Sequence, residues 1–186
     1  MYKSLIILLV LIPLSACSIN PEVYKEKSPS FVFEEFFTGN MCAWGTVKDR
    51  NNQVTRKFIA DIKAYKENSK VVLDERFSFD DGEKQTRVWK FETQNNQISG
   101  VAGDVVGSAT GVVYGDSLNL SYRLLIQMED DSIEIKMDDW LHLIDENTLM
   151  GTTKMSKWGF NVGEINILMR KHQNDQNWCI KVNNNG

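Results

Sequence analysis

Proline is nearly missing from this sequence: all three copies, Pro13, Pro21 and Pro29, fall within the first 29 residues. The rest of the chain therefore carries no proline to interrupt a run of strands. Alanine is scarce too, with six copies against fifteen valines, fourteen isoleucines and nine phenylalanines. That balance disfavours a helical bundle and favours strands. Basic charge is not in excess. The 21 Lys and Arg face 25 Asp and Glu, a net charge of -4, which argues against a nucleic-acid binder.

The chemistry of common active sites is also absent. The only two histidines are His142 and His172, and no His-Cys-Asp set has metal-ligand spacing. There is no Gly-x-Ser-x-Gly elbow and no glycine-rich phosphate loop before a helix. Gly107-Ser108-Ala109-Thr110-Gly111 has the wrong spacing and reads as a bending element. Asp80-Asp81-Gly82-Glu83 and Asp130-Asp131 lack EF-hand order and read as turns. His142, beside Trp140, reads as an ordinary surface or core histidine. No cofactor or metal is expected, and non-enzymatic readings outrank an enzyme.

What is present begins with an address. Lys3 precedes an apolar stretch of twelve residues, Leu5 to Ala16, too short at about 18 Å to cross a hydrocarbon core of about 30 Å. It ends in Leu14-Ser15-Ala16-Cys17, the pattern of a bacterial lipobox, in which the cysteine thiol takes a diacylglyceryl group. The expectation is a signal peptide over 1–16, lipidation of Cys17 and a tether over 17–30. The alternative is an ordinary secreted protein cut after Ala16. Ser18, where an aspartate would signal retention, points by analogy with enteric bacteria to the outer membrane, facing the periplasm. Processing would leave 20 basic and 25 acidic side chains, since only Lys3 is lost.

From residue 31 the sequence reads as a β domain to 171, followed by a tail over 172–186. Phe31 to Phe37 suits one short amphipathic helix with Glu34 and Glu35 on its polar side. After Gly39 the apolar period becomes two. Strands are expected at 40–48, 53–65, 70–79, 84–94, 97–103, 107–114, 117–128, 132–144, 147–158 and 161–170. Short connections rich in Asp, Asn and Gly join them. This is an all-β antiparallel meander of about ten strands, and a single-layer lipocalin-like or fatty-acid-binding-like barrel is favoured over a sandwich. Gly100, Gly103, Gly107 and Gly111 fall in the two middle strands, where glycine permits sharp bending or close backbone approach. With Cys17 lipidated, Cys42 in the first strand and Cys179 beyond the last form an even pair suited to a disulfide; two free thiols are the alternative.

Two carboxylates stand at apolar-face positions, Glu75 between Leu73 and Phe77, and Asp139 between Met137 and Leu141. An inward carboxylate is costly unless paired or hydrated. It therefore marks a cavity with polar groups inside, a buried salt-bridge network, or a local bulge that turns Asp139 outward. On the cavity reading, Trp44, Arg87, Trp89, Tyr122, Asp139 and Trp140 bind the ligand, with Arg87 meeting an acidic headgroup. An enzyme acting on lipids, with Asp139, Arg87 and Asp104 as its candidates, ranks last.

Several blocks resemble a known family. They are Ala43-Trp44-Gly45, Asp49-Arg50, Phe79-Asp80-Asp81-Gly82-Glu83, Arg87-Val88-Trp89, Gly103-Asp104-Val105-Val106-Gly107-x-Ala109-x-Gly111, Asp138-Asp139-Trp140 and Met155-Ser156-Lys157-Trp158-Gly159. In this order the chain is similar to a domain-of-unknown-function family of Gram-negative lipoproteins, over residues 31 to 170 or so. The resemblance implies an envelope lipoprotein without an established activity. Its members are often encoded near enzymes that modify membrane fatty acids, a pointer toward lipids. The Cys42 and Cys179 pair is not part of the resemblance. The leading expectation is a membrane-anchored barrel that binds a fatty acyl or other apolar ligand. The alternative is an interaction or assembly protein of the envelope with a filled core, whose protein partner the sequence does not name.

Overall fold

The computed structural model describes residues 20–128 and 131–172, together with Cys179. Cys17 and the signal segment lie outside the described residues. Ten strands form a closed barrel: β1 (Gly39–Asp49), β2 (Val54–Glu67), β3 (Lys70–Phe79), β4 (Lys84–Gln94), β5 (Gln97–Val101), β6 (Ala109–Tyr114), β7 (Ser117–Gln127), β8 (Ser132–Asp145), β9 (Thr148–Lys157) and β10 (Phe160–His172). Strand order around the ring is chain order, every neighbouring pair is antiparallel, and β10 closes on β1. Alternation decides what faces inward. Ala43, Ala60, Leu73, Trp89, Leu120 and Leu141 join one buried core, and the residues beside them in each strand point out.

All ten strands begin and end within two residues of the sequence expectation. The middle pair is two residues shorter than expected where the strands face each other: β5 stops at Val101 and β6 starts at Ala109. Gly103 and Gly107, expected inside strands, lie in the connection 102–108 instead, where Gly107 has φ +75°. Gly100 and Gly111 do lie in strands. A side chain at Gly100 would overlap the Phe91 ring, and one at Gly111 would meet the Asn119 carbonyl at 2.6 Å. They serve close approach.

One end of the barrel is filled by aromatic rings. The helix α1 (Phe33–Phe36) is a single turn, shorter than the Phe31–Phe37 pattern implied. Even so, Phe31, Phe33, Phe36 and Phe37 are all buried and in ring contact, and Phe33 meets Phe91 edge-on at 5.2 Å. Glu34 holds this plug to the wall by accepting from Thr93 and, at 2.5 Å, from Lys66. Lys171 donates to the Glu35 carbonyl at 2.7 Å.

Residues 20–30 depart from the tether reading. Pro21–Tyr24 forms a 3-10 turn started by the Asn20 side chain. The Tyr24 ring sits 5.5 Å from Trp140 and 5.1 Å from His142, and the Phe31 N–H donates to the Gly115 carbonyl at 2.7 Å. Gly115 has φ +54°, and a side chain there would overlap the Tyr24 carbonyl. The segment is thus laid against the plugged end of the barrel.

A disulfide joins Cys42 to Cys179, with Cα atoms 5.7 Å apart and a sequence separation of 137. Cys42 lies on the outer side of β1, opposite Asp61 of β2, and the Cys179 N–H donates to the Asp61 carboxylate at 2.7 Å. In the chain-entropy view, closing so long a loop contributes about 5 kcal/mol.

Candidate functional site

The far half of the barrel is not filled. A cavity of about 290 Å³ runs from the plug, at Phe33 and Phe37, toward the opposite end, where Arg56, Phe79, Ile126, Met155 and Ile165 line it. That is the lower edge of the range for small-molecule sites, about 300–1,000 Å³. Most of the wall is apolar and aromatic: Trp89 stacks on Phe91 at 5.0 Å and meets Tyr122 edge-on at 5.3 Å.

A polar cluster interrupts this wall at mid-height. Strand pairing builds it: Glu75 of β3 is the direct partner of Arg87 of β4, and Asp139 of β8 is the partner of Thr153 of β9. Tyr122 of β7 completes the ring of polar groups. Glu75 and Asp139 are 6% and 8% exposed. Burial pushes the Glu75 carboxyl up to about 7, with Arg87 pulling it down and Asp104 and Asp139 pushing it further up. Burial likewise raises Asp139 to about 7 against hydrogen bonds from Thr153 and Tyr122. The Tyr122 phenol is raised well above its ordinary value, first by burial and then by Asp139. One oxygen of each carboxyl, Glu75 Oε2 and Asp139 Oδ1, is buried without a hydrogen-bond partner among the described residues.

Arg87 is engaged from outside the cavity. Its Nε lies 3.1 and 2.9 Å from the two Asp104 oxygens, and a terminal nitrogen lies 2.7 Å from Oδ2. Glu75 is farther, with an ion pair at 4.0 Å. Asp104 reaches this place because β5 and β6 are short. Below their ends the 102–108 connection fills the wall, held to β7 by Val106 N–H to the Arg123 carbonyl (2.9 Å) and Leu125 N–H to the Asp104 carbonyl (2.8 Å). The fork-on-carboxylate pair joins β4 to this connection where no strand ladder does.

Residues 11–171 match the model of a family described as "Protein of unknown function (DUF3833)". The chain belongs to that family. No curated protein matches its sequence. Among solved structures it is similar to the S-type phycobiliprotein lyase CPES from Guillardia theta. The TM-score is 0.56 at 9% identity, over 76% of this chain and 92% of that one. At such identity the likeness is one of fold. A looser likeness, TM-score 0.41 at 8% identity, is to EF1p2_mFAP2b bound to DFHBI, over 75% of this chain and all of that one.

In this DUF3833 barrel, four of the six ligand-lining residues expected from the sequence come together: Arg87, Trp89, Tyr122 and Asp139 all line the cavity. Trp44 and Trp140 do not. Ala43 and Asp139 point inward, so their neighbours Trp44 and Trp140 point outward by the two-residue period. Both border an apolar groove on the outer wall with Ile59, Ile144 and Met150, partly covered by Tyr24. Glu75 belongs to the cavity cluster, and its charge on an apolar strand face was the signal for it. Nothing in the sequence marked Thr153 or the Arg87–Asp104 pairing.

A Ser-His-Asp set also arises at the plugged end. Ser117 Oγ lies 2.7 Å from His142 Nδ1 and donates to Asp116 at 2.6 Å. Ser117 is 1% exposed and its carboxylate partner bonds the serine rather than the histidine. This order does not activate a nucleophile.

Proposed function

We propose that this protein is a lipid-anchored envelope protein that binds a small apolar ligand in its barrel. One observation carries the reading: aromatic rings fill one end of the barrel while the other end keeps a cavity of about 290 Å³ with a polar cluster in its wall. A scaffold with no ligand would gain by packing that space, since voids and buried polar groups both cost stability. The anchor is the lipobox cysteine Cys17, and the proposed place is the periplasmic face of the outer membrane.

Two measurements test this. In native mass spectrometry the protein is expected to take up one molecule of octanol, a neutral apolar probe. Leu120→Phe, which adds bulk to the cavity wall, is expected to weaken that uptake about tenfold or more. Equal uptake by a folded Leu120→Phe protein, or none by the parent, would sink the reading. Separately, the mature protein is expected to begin at Cys17 and to carry the added mass of a diacylglyceryl group. An unmodified or uncut N-terminus would remove the anchor.

A further inference from the structure

The charge arrangement around the cavity says what kind of polar group its ligand carries. Two guanidinium groups reach the cavity, Arg56 and Arg87, and both are occupied by carboxylates outside it. Arg56 is bound by Asp81 and Glu83 at 2.6 Å each, and Arg87 by Asp104. Among the described residues, the two carboxyls inside have no cation of their own. Glu75 has only its 4.0 Å contact with the already engaged Arg87, and Asp139 has only hydroxyl partners. Each keeps a buried oxygen with no hydrogen-bond partner. The site lacks positive charge and donors, not acceptors.

We infer that the ligand carries a protonated amine that seats between Glu75 and Asp139, with its apolar part along Trp89 and Leu120. This rests on the proposed ligand-binding role and reverses the earlier expectation that Arg87 receives an acidic headgroup. A fatty carboxylate would add a third negative charge beside two carboxyls, whereas an ammonium group supplies donors to both. The cavity has room for about ten water-sized groups, which suits a chain of about eight carbons with its head.

The pH response follows from the same groups. Facing Glu75 and Asp139 are Arg87 from β4, Asp104 from the 102–108 connection, Tyr122 from β7 and, nearer the mouth, Arg56 from β2; β1, β9 and β10 present no titratable side chain to the cavity. Asp74 and Asp138, on the outer face, add their repulsion. Burial keeps the inner carboxyls protonated up to about pH 7. An alkylamine stays protonated throughout this range, as lysine does. Its binding therefore strengthens as pH rises from about 5.5 to 8.5, when the carboxyls ionise without having to be forced.

The test is calorimetric titration of the purified full chain with octylamine, octanol and octanoate at pH 8. Octylamine is expected to bind about tenfold or more tighter than octanoate. Glu75→Gln with Asp139→Asn is expected to abolish that preference. Asp74→Asn with Asp138→Asn, which removes as many charges from the outer wall, is expected to preserve it. If the inner double variant does not fold, either inner single variant should reduce the preference. Octanoate binding as tightly as octylamine, or loss of the preference with the outer pair alone, overturns the inference while octanol binding leaves the barrel's role standing. Failure of all three probes overturns both.

Discussion

Phe91→Ala is expected to destabilise the protein by about 3–5 kcal/mol, the usual cost of removing a fully packed phenylalanine. Phe91 is 3% exposed, stacks on Trp89 and meets Phe33 edge-on. It also lies over Gly100, where no side chain exists to move into the space. The neighbours that might relax are rings already held by other rings, so the hole persists. The void would also lie against the aromatic plug and remove part of the partition between the filled and hollow halves. Urea unfolding reads the effect as a lowered midpoint at unchanged slope. Phe91→Leu, closer in volume, should cost much less. A loss below about 1 kcal/mol for the alanine variant would mean that the plugged end is not packed as described.

The second large effect is on pH. Glu75 and Asp139 are raised to about 7 in the folded protein from ordinary values of 4.5 and 3.8. Between those limits the folded chain binds more protons than the unfolded one, so stability falls as pH rises. Their contribution is complete below about pH 4 and is lost above about pH 7. One pKa unit corresponds to about 1.4 kcal/mol, so the pair together should cost about 3 kcal/mol or more at pH 8 relative to pH 5. On the acid side Glu34, Asp49, Asp81, Glu83 and Asp145 act the other way. Hydrogen bonds hold all five below their ordinary values, so their contribution is lost as pH falls through the folded values. A stability maximum near pH 5 follows. Thermal melts should show Tm falling from pH 5 to pH 8, and the Glu75→Gln/Asp139→Asn protein should flatten that slope. A parent protein that melts higher at pH 8 would contradict this account of the cluster.

The strands were legible because their signals are local. Alternation set the faces, and Asp, Asn and Gly marked the turns. The inward carboxylates were legible for the same reason, since a charge at an apolar position breaks a short pattern. Trp44 and Trp140 were misplaced by letting residue type outweigh parity: Asp139 and Trp140 are adjacent and cannot face the same side of one regular strand. The Arg87–Asp104 pair was beyond reach because it depends on the 102–108 connection lying against β4 and β7, a tertiary fact that Gly103 and Gly107 only hinted at. Residues 20–30 read as a tether from their prolines and charges. Tyr24 was the contrary sign, a large aromatic that found a place against Trp140 and His142.

That packed segment decides how the proposed anchor would orient the barrel. If Cys17 carries the lipid, only Ser18 and Ile19 separate it from Asn20, a reach of about 11 Å at most. The barrel is then held by its plugged base, close to the bilayer. The longest strands, β2 and β8, have 14 residues each, so at ordinary barrel tilt the opposite rim stands about 35 Å farther out. At that rim the β9–β10 hairpin exposes Trp158 and Phe160. With the anchor and the ligand as proposed, a vessel mounted this way turns its mouth from its own membrane, toward whatever approaches from the other side.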